Sequence, residues 1–376
     1  MKTLTTLLLL TFGFLSFAQT GTTISNSFLH NGVTREYKLY VPASYDGNTS
    51  VPLVFNLHGY TSNMDQQILY GDFRSIADTA NFLVVHPNGT LDGGGSRFWN
   101  AFDAPGVDDI GFLATLIDTI NNDYNLNLNR VYSCGMSNGG YMSYELACQL
   151  GNRITAVASV TGTMTTARMN ACNAPKPTPI MQIHGTADAT VPYNGSTGNE
   201  SIPDVVDYWV DQTNCNPMAN MTNVPDNDPN DGCTAEHYVY TGGDLGTTIE
   251  FFKVIGGAHT WPGAPLNIGV TNQDFDASIE IWRFFSQYSL DQLADLDESP
   301  LLPSVEIYPN PSDGNFEILL SNAASAQLNI VDALGRSVRS FVISNGQASL
   351  ELTKSGVYFF HIRSSGELIT RKVIVK

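Results

Sequence analysis

A serine at 137, an aspartate at 188 and a histidine at 259 could together do chemistry in this 376-residue chain. Ser137 sits in Gly135-Met136-Ser137-Asn138-Gly139, between an apolar run at 131–134 and a proline-free, helix-forming segment at 141–150. A strand that turns through Gly-x-Ser-x-Gly into a helix is a nucleophile elbow. The glycines two residues to either side let the strand and helix close tightly, so that the serine hydroxyl is lifted clear of the sheet. A serine hydroxyl is a poor nucleophile until a neutral imidazole takes its proton, and a carboxylate beyond the imidazole holds the tautomer and stabilises the cation. His259 and Asp188 are the candidates for those roles. The order serine, aspartate, histidine is that of an α/β-hydrolase, not of the chymotrypsin or subtilisin arrangements. Asp108 and Asp109 precede the elbow and read instead as acids at a helix N-terminus.

An acyl-transfer site also needs two N–H donors for the oxyanion. The amide of Asn138, at the start of the helix, is one. The turn Leu57-His58-Gly59-Tyr60-Thr61 has the form that supplies the other, from Tyr60 in the first place and Thr61 in the second, with His58 a structural residue. Tyr60, Tyr193, Trp261 and Trp99 are rings near these motifs that could pack a substrate face, with core packing as the competing role.

The elements that must position these groups follow from periodicity. Short apolar runs at 51–57, 82–85, 131–134, 156–160, 180–183 and 249–255 suit strands buried on both faces. Between them Phe73, Ile76, Ala77 and Ala80, then Ile110, Leu113, Ile117 and Ile120, then Ile202, Val205, Val206 and Trp209 lie on helical stripes. Alternating β and α predicts an α/β-hydrolase fold with a mostly parallel central sheet. Reactive groups gather at the carboxyl ends of such strands, where Asp188 and His259 fall.

Residues 1–18 read as a secretory signal peptide cleaved before Gln19, too short and threonine-rich for a membrane anchor. The net charge of −18 opposes nucleic-acid and anionic-membrane partners. Five cysteines in an exported chain leave at least one free thiol. Cys134, on the strand under the elbow, is expected to be buried and free. Cys215 and Cys233 flank a polar loop that a bridge would staple, and Cys148 with Cys172 is the other expected pair. The stretch 226–232 superficially resembles a calcium loop, but its glycine is one place late and the closing glutamate is missing, so it reads as a polar loop. No cofactor or metal is called for.

Beyond a first domain at 19–290 comes an acidic, proline-flanked linker at 291–302. Seven short, partly alternating apolar runs then fill 303–376 and predict a small all-β sandwich. This tail carries seven Lys and Arg against six Asp and Glu, so the acidity belongs to the first domain.

Arg35-Glu36-Tyr37, Tyr40-Val41-Pro42, Leu57-His58-Gly59, Val107-Asp108-Asp109, the elbow, His184-Gly185-Thr186-Ala187-Asp188 and Gly257-Ala258-His259-Thr260-Trp261-Pro262-Gly263 together resemble the secreted feruloyl esterase and poly(3-hydroxybutyrate) depolymerase-like α/β-hydrolases of the carbohydrate esterase family 1 group, over residues 22–290. The resemblance implies a serine esterase with Ser137, Asp188 and His259 as nucleophile, acid and base. Many relatives have cysteine where this chain has Tyr60. Tyr308-Pro309-Asn310-Pro311, Gly356-Val357-Tyr358 and the ending Lys372-Val373-Ile374-Val375-Lys376 resemble the type A sorting domain of type IX secretion substrates, implying that secretion machinery as a partner and an extracellular location; a surface-binding module is the alternative. The expected substrates are feruloyl or acetyl esters of plant polysaccharides, ahead of a polyester. A catalytically silent binding protein is the reading from another class.

Overall fold

A computed structural model of the protein describes residues 21–102, 104–266, 268–293, 304–321, 325–364 and 367–376. The expected leader, and the expected linker from 294 onward, lie outside the described residues. The chain divides into two units at residue 295.

In the first unit the elements run β1 (Thr22–His30), β2 (Val33–Val41), β3 (Val51–Leu57), α1 (Met64–Tyr70), α2 (Arg74–Ala80), β4 (Leu83–Pro87), β5 (Thr90–Leu91), β6 (Arg97–Phe98), α3 (Asp109–Asp123) and β7 (Leu126–Met136). They continue through α4 (Asn138–Gln149), β8 (Ala156–Val160), α5 (Thr166–Ala171), β9 (Ile180–Gly185), α6 (Ile202–Gln212), β10 (Asn220–Asn223), β11 (Thr234–Tyr240), β12 (Ile249–Ile255), α7 (Ala277–Phe285) and α8 (Leu290–Leu293). Ten strands form one sheet in the order β1-β2-β4-β3-β7-β8-β9-β12-β11-β10. The six from β4 to β12 pair in parallel, and an antiparallel pair closes each edge. This is the α/β-hydrolase fold with a mostly parallel sheet.

The parallel strands are buried throughout because helices cover both faces. Leu53, Phe55, Leu57 and Val157 pack with Phe112, Tyr144 and Trp209 on one side. Val54, Ala156 and Ala158 turn the other way, toward Ala77, Ile281, Phe284 and Phe285. Alternate residues of one strand thus feed two cores, as a period of two requires. The helices form against this sheet. Isolated, the 11 residues of α6 would be marginally helical at best. Ser201 caps it by accepting from the Asp204 N–H, Pro203 sits in its first turn, and Ile202, Val205, Val206 and Trp209 are buried, each contributing on the order of 2 kcal/mol. Asp108 caps α3 through the Gly111 N–H, while Asp109 is buried against Arg35 at 2.6 Å. Asp108 thus caps the helix start, while Asp109, in its first turn, accepts from Arg35 and the Asn100 N–H.

The second unit is all β: β13 (Ser304–Tyr308), β14 (Asn315–Ser321), β15 (Ser325–Asp332), β16 (Ser337–Ser344), β17 (Gln347–Glu351), β18 (Gly356–Ser364) and β19 (Glu367–Val375). The strands form one antiparallel series, β13-β14-β17-β16-β15-β18-β19, around a core that includes Phe316, Ile318, Leu328, Ile330, Phe360 and Ile362. A bridge between Ser312 and Val375 brings the ends of the series together, so the unit is nearly a barrel.

Cys148 and Cys172 form a disulfide, whereas Cys134, Cys215 and Cys233 are free and buried. The expected Cys215–Cys233 bridge is absent for a simple reason. Cys215 packs into the core on one face of the sheet and Cys233 into the core on the other. Cys215 Sγ lies 3.5 Å from the Thr247 carbonyl, and Cys233 Sγ lies 3.2 Å from Asp231 Oδ1. Alkylation of the denatured, unreduced protein should label three thiols. Replacing Cys148 and Cys172 together by serine should cost about 3 kcal/mol through the lost 24-residue loop constraint, read as a lower melting temperature that reduction of the wild type reproduces. Five labelled thiols, or melts that coincide, would refute the bridge.

Candidate active site

The elbow is built by backbone contact. Ser137 closes β7 in a strained conformation, φ 55° and ψ −120°. Its N–H donates to the Val160 carbonyl at 2.8 Å, and its own carbonyl accepts from Gly140 at 2.8 Å and Tyr141 at 3.0 Å. A Cβ on Gly139 would stand 2.2 Å from the Leu57 oxygen, and one on Gly135 would stand 2.5 Å from the Gly139 carbonyl carbon. No side chain fits at either place. Gly59 approaches from the loop after β3, where a Cβ would lie 3.4 Å from Ser137 Cβ.

Asp188 follows β9 and His259 follows β12, neighbouring parallel strands. Their loops are stitched together by Thr186 N–H to the Val254 carbonyl at 2.8 Å and Ala187 N–H to the Gly257 carbonyl at 3.0 Å. The approach is so close that a Cβ on Gly185 would meet the Gly257 oxygen at 2.1 Å. It sets His259 Nδ1 2.7 Å from Asp188 Oδ2. Oδ1 of the same carboxylate accepts from the Thr190 and Val191 N–H groups at 2.8 and 2.9 Å. Burial alone would raise the Asp188 pKa, but hydrogen bonds from His184 and His259 and the charge of His259 outweigh it, so the carboxyl is held well below the usual carboxylate range. With Nδ1–H committed to the carboxylate, the free nitrogen of His259 is Nε2.

His184 is a partner that the sequence motifs did not single out. The Gly162 carbonyl accepts from Gln182 Nε2 at 2.9 Å, which fixes the amide orientation. That same Nε2 lies 3.1 Å from His184 Nδ1, so Nδ1 is an acceptor and the proton is on Nε2. From there it is shared between the Val191 carbonyl at 2.9 Å and Asp188 Oδ2 at 3.3 Å. The Tyr144 hydroxyl donates to Gln182 Oε1 at the far end. All of these side chains are buried. A further signal in the sequence is polar residues alternating inside an apolar strand, Gln182 and His184 in β9.

Ser137 and His259 open onto one cavity of about 430 Å³, walled by Leu69, Tyr70, Met136, Trp261, Leu266 and Ile268. No hydrogen bond joins Ser137 to His259 among the described residues. Such contacts often tighten only when substrate is bound. At the other side, Asn138 is locked by its side chain, which accepts from the Trp99 N–H at 2.6 Å and donates to the Trp99 carbonyl at 3.0 Å. Its own N–H, the first of α4, stays free of helix bonding. Thr61 N–H is spent on the Arg97 carbonyl at 2.9 Å, which removes the second oxyanion candidate and leaves Tyr60 N–H.

The four expected substrate rings fare differently. Tyr60 is half exposed, borders the cavity and donates its hydroxyl to Asp92 at 2.7 Å. Trp261 is buried, with its indole N–H on Ser278 Oγ at 3.2 Å, yet one edge reaches the cavity wall. Trp99 does not: it is wholly buried, its indole N–H bonded to the His58 carbonyl at 3.0 Å, so it braces the oxyanion side from inside. Tyr193 lies outside the cavity, packed against His184 and Phe251 behind Asp188. Leu69, Leu266 and Ile268, which line the mouth with 54%, 54% and 68% exposure, carried no motif and went unnoticed.

Residues 35–191 match the esterase PHB depolymerase family, and residues 306–376 match the secretion system C-terminal sorting domain. The chain is 29% identical over 271 residues to a bifunctional acetylxylan esterase/xylanase of Neocallimastix patriciarum, covering 72% of this chain but only 36% of that protein. It is 26% identical over 267 residues to feruloyl esterase D of Neurospora crassa, covering 69% and 84% respectively. The acetyl xylan esterase of Aspergillus awamori shares the fold, with a TM-score of 0.50 and 13% identity over 70% of this chain and 99% of that one.

Two buried histidines make the region acid-sensitive. Burial pushes His58 down to about 4, against its bond to the Gly59 carbonyl and with help from the Arg97 and Arg35 charges. Burial likewise pushes His86, which lies 3.2 Å from Asn56 Nδ2, down to about 3. Both are neutral when folded, while an unfolded chain protonates them below about pH 6.5. Their contribution is present above that pH and is lost as pH falls toward 4 and then 3. Urea unfolding should show at least about 2 kcal/mol less stability at roughly pH 4.5 than at neutrality, and a midpoint that does not move would contradict the burial of these rings.

Proposed function

We propose that this protein is an exported serine esterase that cleaves carboxylic esters through an acyl-enzyme on Ser137. The observation that carries the reading is the 2.7 Å bond from His259 Nδ1 to a buried, ionised Asp188, with Ser137 and the imidazole facing one cavity. His259 Nε2 takes the proton as Ser137 Oγ attacks the ester carbonyl. The N–H groups of Asn138 and Tyr60 receive the oxyanion, aided by the positive end of α4. Collapse of this intermediate expels the alcohol, which takes its proton from His259. Water then repeats the sequence on the acyl-serine, returning free acid and serine. Asp188 keeps its charge throughout and stabilises the imidazolium. The sorting domain supports export through the type IX machinery.

Feruloyl and acetyl esters of plant polysaccharides are the proposed substrates, in line with the relatives named as acetylxylan and feruloyl esterases. A polyester is the second reading, favoured by the apolar, exposed mouth at Leu69, Leu266 and Ile268. Assays on methyl ferulate, acetylated xylan and poly(3-hydroxybutyrate) film separate them. Turnover of the first two is expected, and clearing of the film alone would overturn that choice.

Ser137→Ala should fold normally and lose roughly 10⁴- to 10⁶-fold in turnover of p-nitrophenyl acetate, with His259→Ala similar and Asp188→Asn retaining more. An active Ser137→Ala protein would end the assignment of the nucleophile. His184→Phe removes one donor to Asp188 and strips Gln182 of a partner, so it should cost about 2 kcal/mol in stability and lower kcat more than it raises KM.

A further inference from the structure

A second cavity, of about 540 Å³, is lined by the turn between β1 and β2, the segment after β4, Arg97 of β6 and the residues before α3. It is larger than the cavity at Ser137, which measures about 430 Å³. The small β5–β6 hairpin and its flanks contact both the lining of this cavity and the loop of Tyr60. On one side of that hairpin Gly89, Thr90, Leu91 and Arg97 line the second cavity. On the other, the Arg97 carbonyl accepts from Thr61 N–H at 2.9 Å, Asp92 accepts from the Tyr60 hydroxyl at 2.7 Å, and His58 Nε2 accepts from Gly89 N–H at 2.9 Å. The wall of one site is the support of the other.

The chemistry of the lining is that of a polyol site. Asp108 Oδ2 holds His30 Nε2 and Asn31 Nδ2, both at 3.1 Å, at one end. Glu36 Oε2 holds Asn88 Nδ2 at 3.1 Å and Arg97 Nη2 at 3.3 Å at the other. The carboxylates of Asp108 and Glu36 are about half exposed. The buried Thr90 hydroxyl on the same wall has no partner among the described residues. Between the polar ends stand the aliphatic Val33 and Leu91, 50% and 57% exposed. Arg97 is paired with Glu36, and Arg35 with Asp109 behind the wall. A charged ligand would break one pair and strand its partner, whereas hydroxyl groups add to both without removing either. The chain's net charge of −18 also disfavours a polyanion.

We propose that this cleft binds the neutral polysaccharide backbone that carries the ester, one side of the hairpin holding sugar while the other presents the acyl bond to Ser137. The proposal rests on the polysaccharide reading of the function for its ligand. The cleft anchors the polymer, raises the local concentration of esters at the mouth and leaves small esters unaffected.

The test is affinity electrophoresis of the full chain through gels containing soluble, de-esterified arabinoxylan, beside p-nitrophenyl acetate turnover. Wild type should be retarded. Leu91→Trp, which fills the cleft from an exposed position, and Glu36→Ala should each weaken retardation by about fivefold or more while p-nitrophenyl acetate turnover stays within about twofold. Acetylated xylan should then show a raised KM and an unchanged kcat. Absence of wild-type retardation, or retardation that survives both variants, would overturn the cleft. Because the probe carries no ester, retardation without any turnover of polysaccharide esters would refute the proposed substrate and leave the cleft standing.

Discussion

The close approach of bare backbone at the carboxyl edge of the sheet is the constraint on which the site depends. Gly139 lies against the Leu57 carbonyl and Gly185 against the Gly257 carbonyl, at distances where a Cβ would stand 2.2 and 2.1 Å from oxygen. The first contact presses the elbow against the loop that ends in Tyr60. The second presses the loop of Asp188 against the loop of His259. Four segments far apart in sequence are thereby held within reach of one another without a side chain between them. The strained φ of Ser137 persists because these contacts, and the bond from its N–H to Val160, leave the turn no other path.

Burial then sets the electrostatics. A carboxylate as enclosed as Asp188 would normally take up a proton, and only donors arranged around both oxygens keep it ionised. His259 supplies one, two backbone N–H groups supply more, and His184 adds another whose direction is dictated two residues earlier by Gln182. The order of control runs from the Gly162 carbonyl to the amide, from the amide to the imidazole, and from there to the carboxylate. Each group is satisfied, so the network specifies one arrangement of the site, where a half-satisfied one would leave it loose.

Chemistry was legible in the sequence because it demands residue types at fixed places. Ser137, Asp188 and His259 stood out as loop residues after apolar strands, and the structure gathers those loops at one edge. The parallel strands were equally plain from their continuous apolar runs. The edge strands β1, β2, β10 and β11 were not, since their outer residues are exposed and mix with polar ones, as in Thr22–His30. Which face a residue turns to was the other blind point. Cys215 and Cys233 were paired across a loop, yet they belong to opposite cores. Trp99 and Tyr193 do not line the cavity, because adjacency to a motif says nothing about whether a ring points outward. His184 lay within a recognised motif, and its bond to Asp188 follows only once Gln182 is known to face the same way.

The division of labour between sheet and loops bears on what the proposed esterase would discriminate. Everything that fixes Ser137, Asp188 and His259 is backbone or buried polar contact at the strand ends, whereas the cavity mouth is Leu69 on a seven-residue helix and Leu266 and Ile268 on a loop after the last strand. In the proposed esterase, these three line the cavity that would take the acyl group. A hydrophobic wall of this kind separates acyl chains by only ~1 to 3 kcal/mol per methylene, so the pocket sets a preference among esters of similar size and admits several. Selection of the alcohol half must come from contacts outside that pocket. The polar cleft across the β5–β6 hairpin is placed to make them, and because the hairpin also contacts Tyr60, what it holds lies next to the proposed oxyanion donor.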